Sequence, residues 1–182
     1  MIYFCKNDEN LFDRPEILKY LPEKRQEKAN KLKMSADKNN AVIAWLLLVY
    51  ALKNPRLPDF SYYENGKPYF KEFPDIHFNI SHCKQGVVCG VSNKEIGVDI
   101  QDIRPFNLSL AKRVCNSYEL EFLNNAKNKE YEFIKLWTKK EAILKQSGTG
   151  IYGGIKNAIP DLDRGIEVKT YCYNDYIISV CE

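Results

Sequence analysis

The chain has 182 residues, 45% hydrophobic and 28% charged, with a net charge of +3. This is the composition of an ordinary globular protein, large enough to build a core without disulfide or metal staples and to form one large domain or two small ones. The apolar stretch Val42–Leu52, eleven residues, is too short to span a bilayer, which excludes a membrane-spanning helix there.

Met1–Cys5 is strand-like. Pro22 suits the start of a helix, with Glu23 near its positive end, and a basic helix is predicted to run to about Lys33. Asp37 is placed to cap a second helix through the apolar run to about Lys53, ended by Asn54-Pro55 and Leu57-Pro58. Leu18–Arg56 holds nine Lys/Arg against three acids, a local +6 that leaves −3 for the rest of the chain. Concentrated positive charge suits a polyphosphate or an acidic protein, or is simply a solvated helix face.

Asn65-Gly66-Lys67-Pro68 reads as a turn. Phe78–Ser81, Gly86–Val91 and Ile96–Gln101 read as strands, with Ser92-Asn93-Lys94 as a hairpin turn between the last two. Helices are predicted over Leu108–Cys115, Tyr118–Ala126 and about Lys129–Gln146, the last capped by Gly148 or Gly150. Ile166–Tyr173 and Tyr176–Val180 close the chain as strands. Helices, strands, helices, strands in that order suggest an α+β fold of two similar halves.

The six cysteines (5, 83, 89, 115, 172 and 181) form no C-x-x-C pair, and no signal peptide is recognisable before the first strand. The expectation is reduced thiols in a cytoplasmic protein. His77, His82, Cys83 and Cys89 match no common zinc spacing.

Two segments place ionisable residues where packing does not ask for them. In Ile96-Gly97-Val98-Asp99-Ile100-Gln101 a carboxylate interrupts an apolar strand end, either as a turn cap or as a ligand for a hard cation. In Trp137–Lys145, Trp137, Glu141 and Lys145 recur every fourth residue on one helix face, where Glu141 and Lys145 could be no more than an exposed ion pair. Together they are the minimum for gripping a diphosphate through Mg²⁺, which takes one or two protein carboxylates plus phosphate and water.

With Phe78-Asn79-Ile80-Ser81-His82 ahead of them, these blocks resemble the 4′-phosphopantetheinyl transferases of the surfactin-synthetase type, in order and with similar separations. Weaker likeness extends to Pro22–Arg25, Gly66–Pro68 and Ala111–Arg113. The resemblance implies a pseudo-two-fold arrangement of two similar α+β halves, 1–104 and 105–182, with the active site in the cleft between them. It implies Mg²⁺ as cofactor, coenzyme A as co-substrate and an acidic acyl or peptidyl carrier protein as partner, in a monomer.

By the same resemblance Asp99 and Glu141 are the metal-binding carboxylates and Gln101 stands at a third metal position. Ser81 and His82 contact the adenosine 3′-phosphate, joined by Arg25 and Lys28, and Lys67 is a further coenzyme contact. Lys145, with Lys140 as an additional charge, holds the diphosphate, and Glu119 is the base for the incoming serine. Gln101 departs from the usual second acid, so weaker metal affinity, an extra water or recruitment of Asp102 is expected. Asn40 stands near a usual basic position, and the segment after Tyr152 is short.

Two other functions compete. A nucleic-acid-binding module is disfavoured by the small net charge and the lack of an aromatic–basic strand motif. An inactive coenzyme A- or carrier-binding scaffold is favoured by Gln101 and opposed by Asp99, Glu141 and Lys145.

Overall fold

A computed structural model describes residues 1–7, 11–150, 154–158 and 167–182. Residue 166 and the stretch following Tyr152 lie outside the described residues or in part outside them.

The N-terminal strand β1 (Ile2–Lys6) is followed by a short helix α1 (Pro15–Leu18), the basic helix α2 (Glu23–Asn30) and the long helix α3 (Ser35–Leu52). Pro22 is the N-cap of α2 rather than its first residue. Asp37 lies inside the first turn of α3, where its charge meets the helix dipole; Met34 occupies the cap position. Lys53 ends α3 at φ 49°, a left-handed geometry ahead of Asn54-Pro55. The predicted turn at Asn65-Gly66 joins a small hairpin, β2 (Ser61–Tyr62) and β3 (Pro68–Tyr69).

Strands β4 (His77–His82) and β5 (Gly86–Ser92) follow, then β6 (Gly97–Asp102). The expected hairpin between β5 and β6 does not form. Both edges of β5 are already paired, with β1 and with β4, so β6 has no ladder to join there. It pairs instead with the last strand of the chain, β8 (Tyr176–Cys181), which also pairs with β7 (Val168–Cys172). The fold is α+β, with two three-stranded antiparallel sheets ordered β1-β5-β4 and β6-β8-β7.

Strand alternation decides which side chain faces which layer. Cys89 and Val91 of β5 and Phe78 of β4 pack with Val42, Trp45 and Leu48 of α3. Val88 turns the other way, into an apolar layer with Ile96, Val98, Ile100, Ile178 and Val180, which lies between the two sheets. The odd residues of β6, Gly97, Asp99 and Gln101, therefore point away from that layer. They point toward α6 (Lys129–Ser147), because a Cβ at Gly97 would collide with the Ala142 carbonyl oxygen and the Gln146 nitrogen. Glycine lets β6 lie directly on the helix backbone, with Asp99 two residues further along the same face.

Helices α4 (Leu108–Val114), α5 (Ser117–Asn125) and α6 each begin at an asparagine, Asn107, Asn116 and Asn128, whose side chain accepts from the backbone three residues on. At Asn116 the bond is reciprocated by Glu119. Gly148 ends α6 at φ 70°, as its sequence position predicts. Helices α4–α6 and Ile177 enclose a second core around Leu123, Phe133 and Ile134. No helix among the described residues is long and apolar enough to cross a membrane.

Cys83, Cys89, Cys115, Cys172 and Cys181 are free thiols. Burial pushes Cys83 and Cys89 up to about 12 and Cys115 and Cys181 to about 11, so few thiolates form there at neutral pH. Cys172 is exposed. Iodoacetamide at neutral pH should label Cys172 ahead of these four, read by peptide mass mapping. Comparable labelling of buried Cys89 would contradict the packing of β5.

Candidate functional site

Strands β4 and β6 run side by side without a backbone ladder, and two side chains of β4 bridge them. Asn79 Oδ1 accepts from Val98 N at 2.9 Å and Ser81 Oγ from Ile100 N at 3.4 Å. At the end of this seam, facing α6, Ser81 donates to Asp99 Oδ1 at 2.8 Å. Lys145 Nζ reaches the same carboxylate oxygen at 2.5 Å and Ser81 Oγ at 3.0 Å. Gln101 Nε2 donates to Asp99 Oδ2 at 3.3 Å.

Glu141, one turn before Lys145, belongs to this cluster electrostatically. Burial raises its pKa, the Asp99 charge raises it further, and Lys145 opposes the shift. Asp99 is 1% and Glu141 7% exposed, and Glu141 Oε1 is buried with no hydrogen-bond partner. Two buried carboxylates facing one ammonium leave an excess of negative charge and an orphaned oxygen lone pair. A hard divalent cation fits that donor set. Among the described residues no group of three His, Cys, Asp or Glu side chains could hold a metal, since the third position is the amide of Gln101. Asp102 does not join either: its carboxylate accepts from Lys84 N at 3.2 Å and Gln85 N at 3.3 Å, capping the β4–β5 turn.

His82 follows Ser81 but faces α3. Its Nδ1 lies 3.3 Å from the Asn40 side-chain amide, with which it shares a hydrogen bond. Burial lowers its pKa and Lys145 adds to this, against Asp37 and Asp99. Arg25 lies over the Phe60 ring at 3.7 Å and near Trp45 at 4.9 Å, and burial lowers its pKa too. Arg25 and Lys28 rim a pocket of about 160 Å³ floored by Trp45, Phe60 and Ile80.

Three of the expected coenzyme contacts already have partners within the chain. Ser81, expected on the adenosine 3′-phosphate, is bound to Asp99 and Lys145, inside the carboxylate cluster. Lys67, expected on the coenzyme, is held by Glu95 at 2.5 Å and the Gln146 carbonyl at 3.0 Å, and Glu95 also meets His77. Lys140, expected at the diphosphate, has its ammonium enclosed by the Glu119 carboxylate at 2.7 Å and the carbonyls of Val114, Ile155 and Lys156. The site thus divides into a carboxylate–lysine cluster, the Glu119–Lys140 pair, and the basic pocket at α2 and α3. Sequence reasoning gave no role to Asn79, which bridges the strands, or to Arg104, whose Nη2 donates to Gln101 Oε1 at 3.4 Å. Only Asn79 carried a signal, as a polar residue inside an apolar strand.

A family profile, the 4′-phosphopantetheinyl transferase superfamily, matches residues 95–181, which include β6, α6 and both buried carboxylates. A 4′-phosphopantetheinyl transferase of Bacillus subtilis is 31% identical over 180 residues, spanning 86% of this chain and 80% of the relative. The 4′-phosphopantetheinyl transferase Sfp of Bacillus subtilis (strain 168) is 31% identical over 182 residues, 88% of this chain and 80% of the relative. The 4′-phosphopantetheinyl transferase gsp of Aneurinibacillus migulanus is 42% identical over 91 residues, 49% of this chain and 38% of the relative.

Proposed function

The chain belongs to the 4′-phosphopantetheinyl transferase superfamily, and from that membership we propose how its own residues perform the transfer. The enzyme moves the 4′-phosphopantetheine arm of coenzyme A onto a serine of an apo carrier protein. The serine oxygen bonds to the β-phosphorus while the bond from that phosphorus to the bridging oxygen breaks. Adenosine 3′,5′-bisphosphate leaves with the electron pair.

The observation that carries this reading is the convergence of buried Asp99 and Glu141 with Lys145 at the β4–β6 seam. Asp99 and Glu141 would hold Mg²⁺, and the orphaned Glu141 oxygen supports this. When bound, the ion neutralises charge on the diphosphate. Lys145 adds a fixed positive charge at the same place, and Ser81 keeps the Asp99 carboxylate and the Lys145 ammonium in register. Glu119 takes the serine proton on Oε1, because Oε2 already accepts from Lys140 and from Asn116 N.

His82 donates a ring N–H to the adenosine 3′-phosphate, with Arg25 and Lys28 at the rim of the neighbouring pocket. Lys67, held by Glu95 and the Gln146 carbonyl, keeps a third N–H for the coenzyme. Division of the chain near residue 104 into two related halves, with the coenzyme between them, belongs to the same proposal. So do a monomeric state, a cytoplasmic location and an acidic carrier steered by the basic Leu18–Arg56 stretch.

Incubation with coenzyme A, Mg²⁺ and a panel of apo acyl and peptidyl carrier proteins tests the reading by intact mass. At least one carrier should gain a single phosphopantetheine. No gain with any carrier would overturn it.

A further inference from the structure

Gln101 shares a strand face with Asp99 but engages it with the wrong end for a metal ligand. Its Nε2 donates to Asp99 Oδ2 at 3.3 Å, and its Oε1 accepts from Arg104 Nη2 at 3.4 Å. We propose that Gln101 is not a ligand of the divalent ion but a positioning residue for Asp99, and that Arg104 determines which way its amide points. This rests on the assignment of a divalent cation to Asp99 and Glu141.

An amide has one accepting and one donating end, whereas a guanidinium only donates and a carboxylate only accepts. Between Arg104 and Asp99 just one orientation satisfies both neighbours, with oxygen toward Arg104 and NH₂ toward Asp99. Turning the amide to offer its oxygen beside Asp99 would set NH₂ against the guanidinium and oxygen against the carboxylate. Arg104 therefore occupies the one lone-pair-bearing atom that Gln101 could give a cation.

Arg104 is itself placed by the other half of the site. Its guanidinium carbon lies 6.0 Å from the ring centroid of Trp137, which stands one turn before Glu141 on α6. Trp137, Arg104, Gln101 and Asp99 thus form a continuous relay from the helix bearing one carboxylate to the strand bearing the other. Asp99 is fixed from both sides: Ser81 and Lys145 hold Oδ1 and Gln101 holds Oδ2. With Asp102 occupied by the β4–β5 turn, the chain supplies two carboxylates. The remaining coordination comes from phosphate oxygens and water, an ordinary arrangement for Mg²⁺.

The test is a double-mutant cycle in Mn²⁺ affinity, measured by electron paramagnetic resonance on the full chain with wild type, Q101A, R104A and Q101A/R104A, and with D99A as reference. D99A should abolish saturable binding. Q101A should weaken binding about 10-fold, the lower range for residues that orient a ligand. Removing Arg104 also removes a positive charge, which by itself favours the cation, so the diagnostic quantity is the coupling. R104A should be about 10-fold less favourable when Gln101 is present than in the Q101A background. Equal effects of R104A in both backgrounds, or Q101A as complete a loss as D99A, would overturn the proposal. So would a Mn²⁺-bound crystal structure with Gln101 Oε1 at ligand distance, about 2 Å. D99A binding Mn²⁺ like wild type would instead remove the metal assignment, and this proposal with it.

Discussion

Alanine at Asp99 or at Glu141 should reduce transfer to a carrier protein by at least about 10³-fold, some 4 kcal/mol of transition-state stabilisation, while the fold survives. Neither side chain holds core packing together. Asp99 lies on the polar face of β6, and Glu141 makes no hydrogen bond through its buried Oε1. The isosteric E141Q separates function from stability. Burial, then Asp99, raises the Glu141 pKa, so the folded protein holds this proton more tightly than the unfolded chain does. The stabilisation linked to that proton is complete below the ordinary glutamate value and is lost as pH rises through the raised folded value.

Metal-free wild type should therefore fall in stability relative to E141Q between acidic and neutral pH, and E141Q should melt higher at neutral pH. Magnesium should raise the melting temperature of wild type more than that of E141Q. The measurement is a series of melts across pH in chelator, then with Mg²⁺. An E141Q protein that melts below wild type in chelator at neutral pH would show that Glu141 is a stabilising contact, not a poised ligand.

Much of this site was legible in the sequence because it obeys local periodicity. Alternation along β6 puts Asp99 on the face of Gly97, and a helix repeat puts Glu141 on the face of Lys145. Helix ends were marked by Pro22 and Gly148 within about a residue. What escaped depends on partners distant in sequence. The β5–β6 hairpin failed because β1, far earlier in the chain, already occupied the edge of β5. Lys140 and Lys145 look alike in sequence, two cations on one helix. Only tertiary packing sends one into a buried cage of carbonyls and leaves the other, 28% exposed, at the carboxylates. Gln101 reads as an impaired ligand until Arg104 is seen to hold its oxygen.

The largest expected effect on stability belongs to that buried lysine. Lys140 has no exposed side-chain surface, and its three N–H bonds are shared among four acceptors on three segments. They tie α6 to the end of α4, to the Glu119 carboxylate on α5, and to the turn at Ile155 and Lys156. Methionine would match the stem but not the charge. K140M leaves Glu119, 13% exposed, without its counter-ion and removes a donor from three carbonyls, of which Ile155 O keeps Ala158 N, for which about 3–5 kcal/mol is expected. That corresponds to a fall in melting temperature on the order of 10 °C. E119Q alone should cost less, because the amide oxygen still accepts from Lys140. The double variant K140M/E119Q should be more stable than K140M, since removing the uncompensated carboxylate recovers part of the loss and only the carbonyl bonds to the ammonium stay lost. Urea unfolding of the four proteins measures the cycle. Transfer should fall in E119Q by about 10²–10⁴-fold, the range for loss of a positioned base, although its fold is nearly intact. If K140M unfolds at the wild-type urea concentration, or if the double variant is no better than K140M, the ammonium does not organise the surroundings of Glu119.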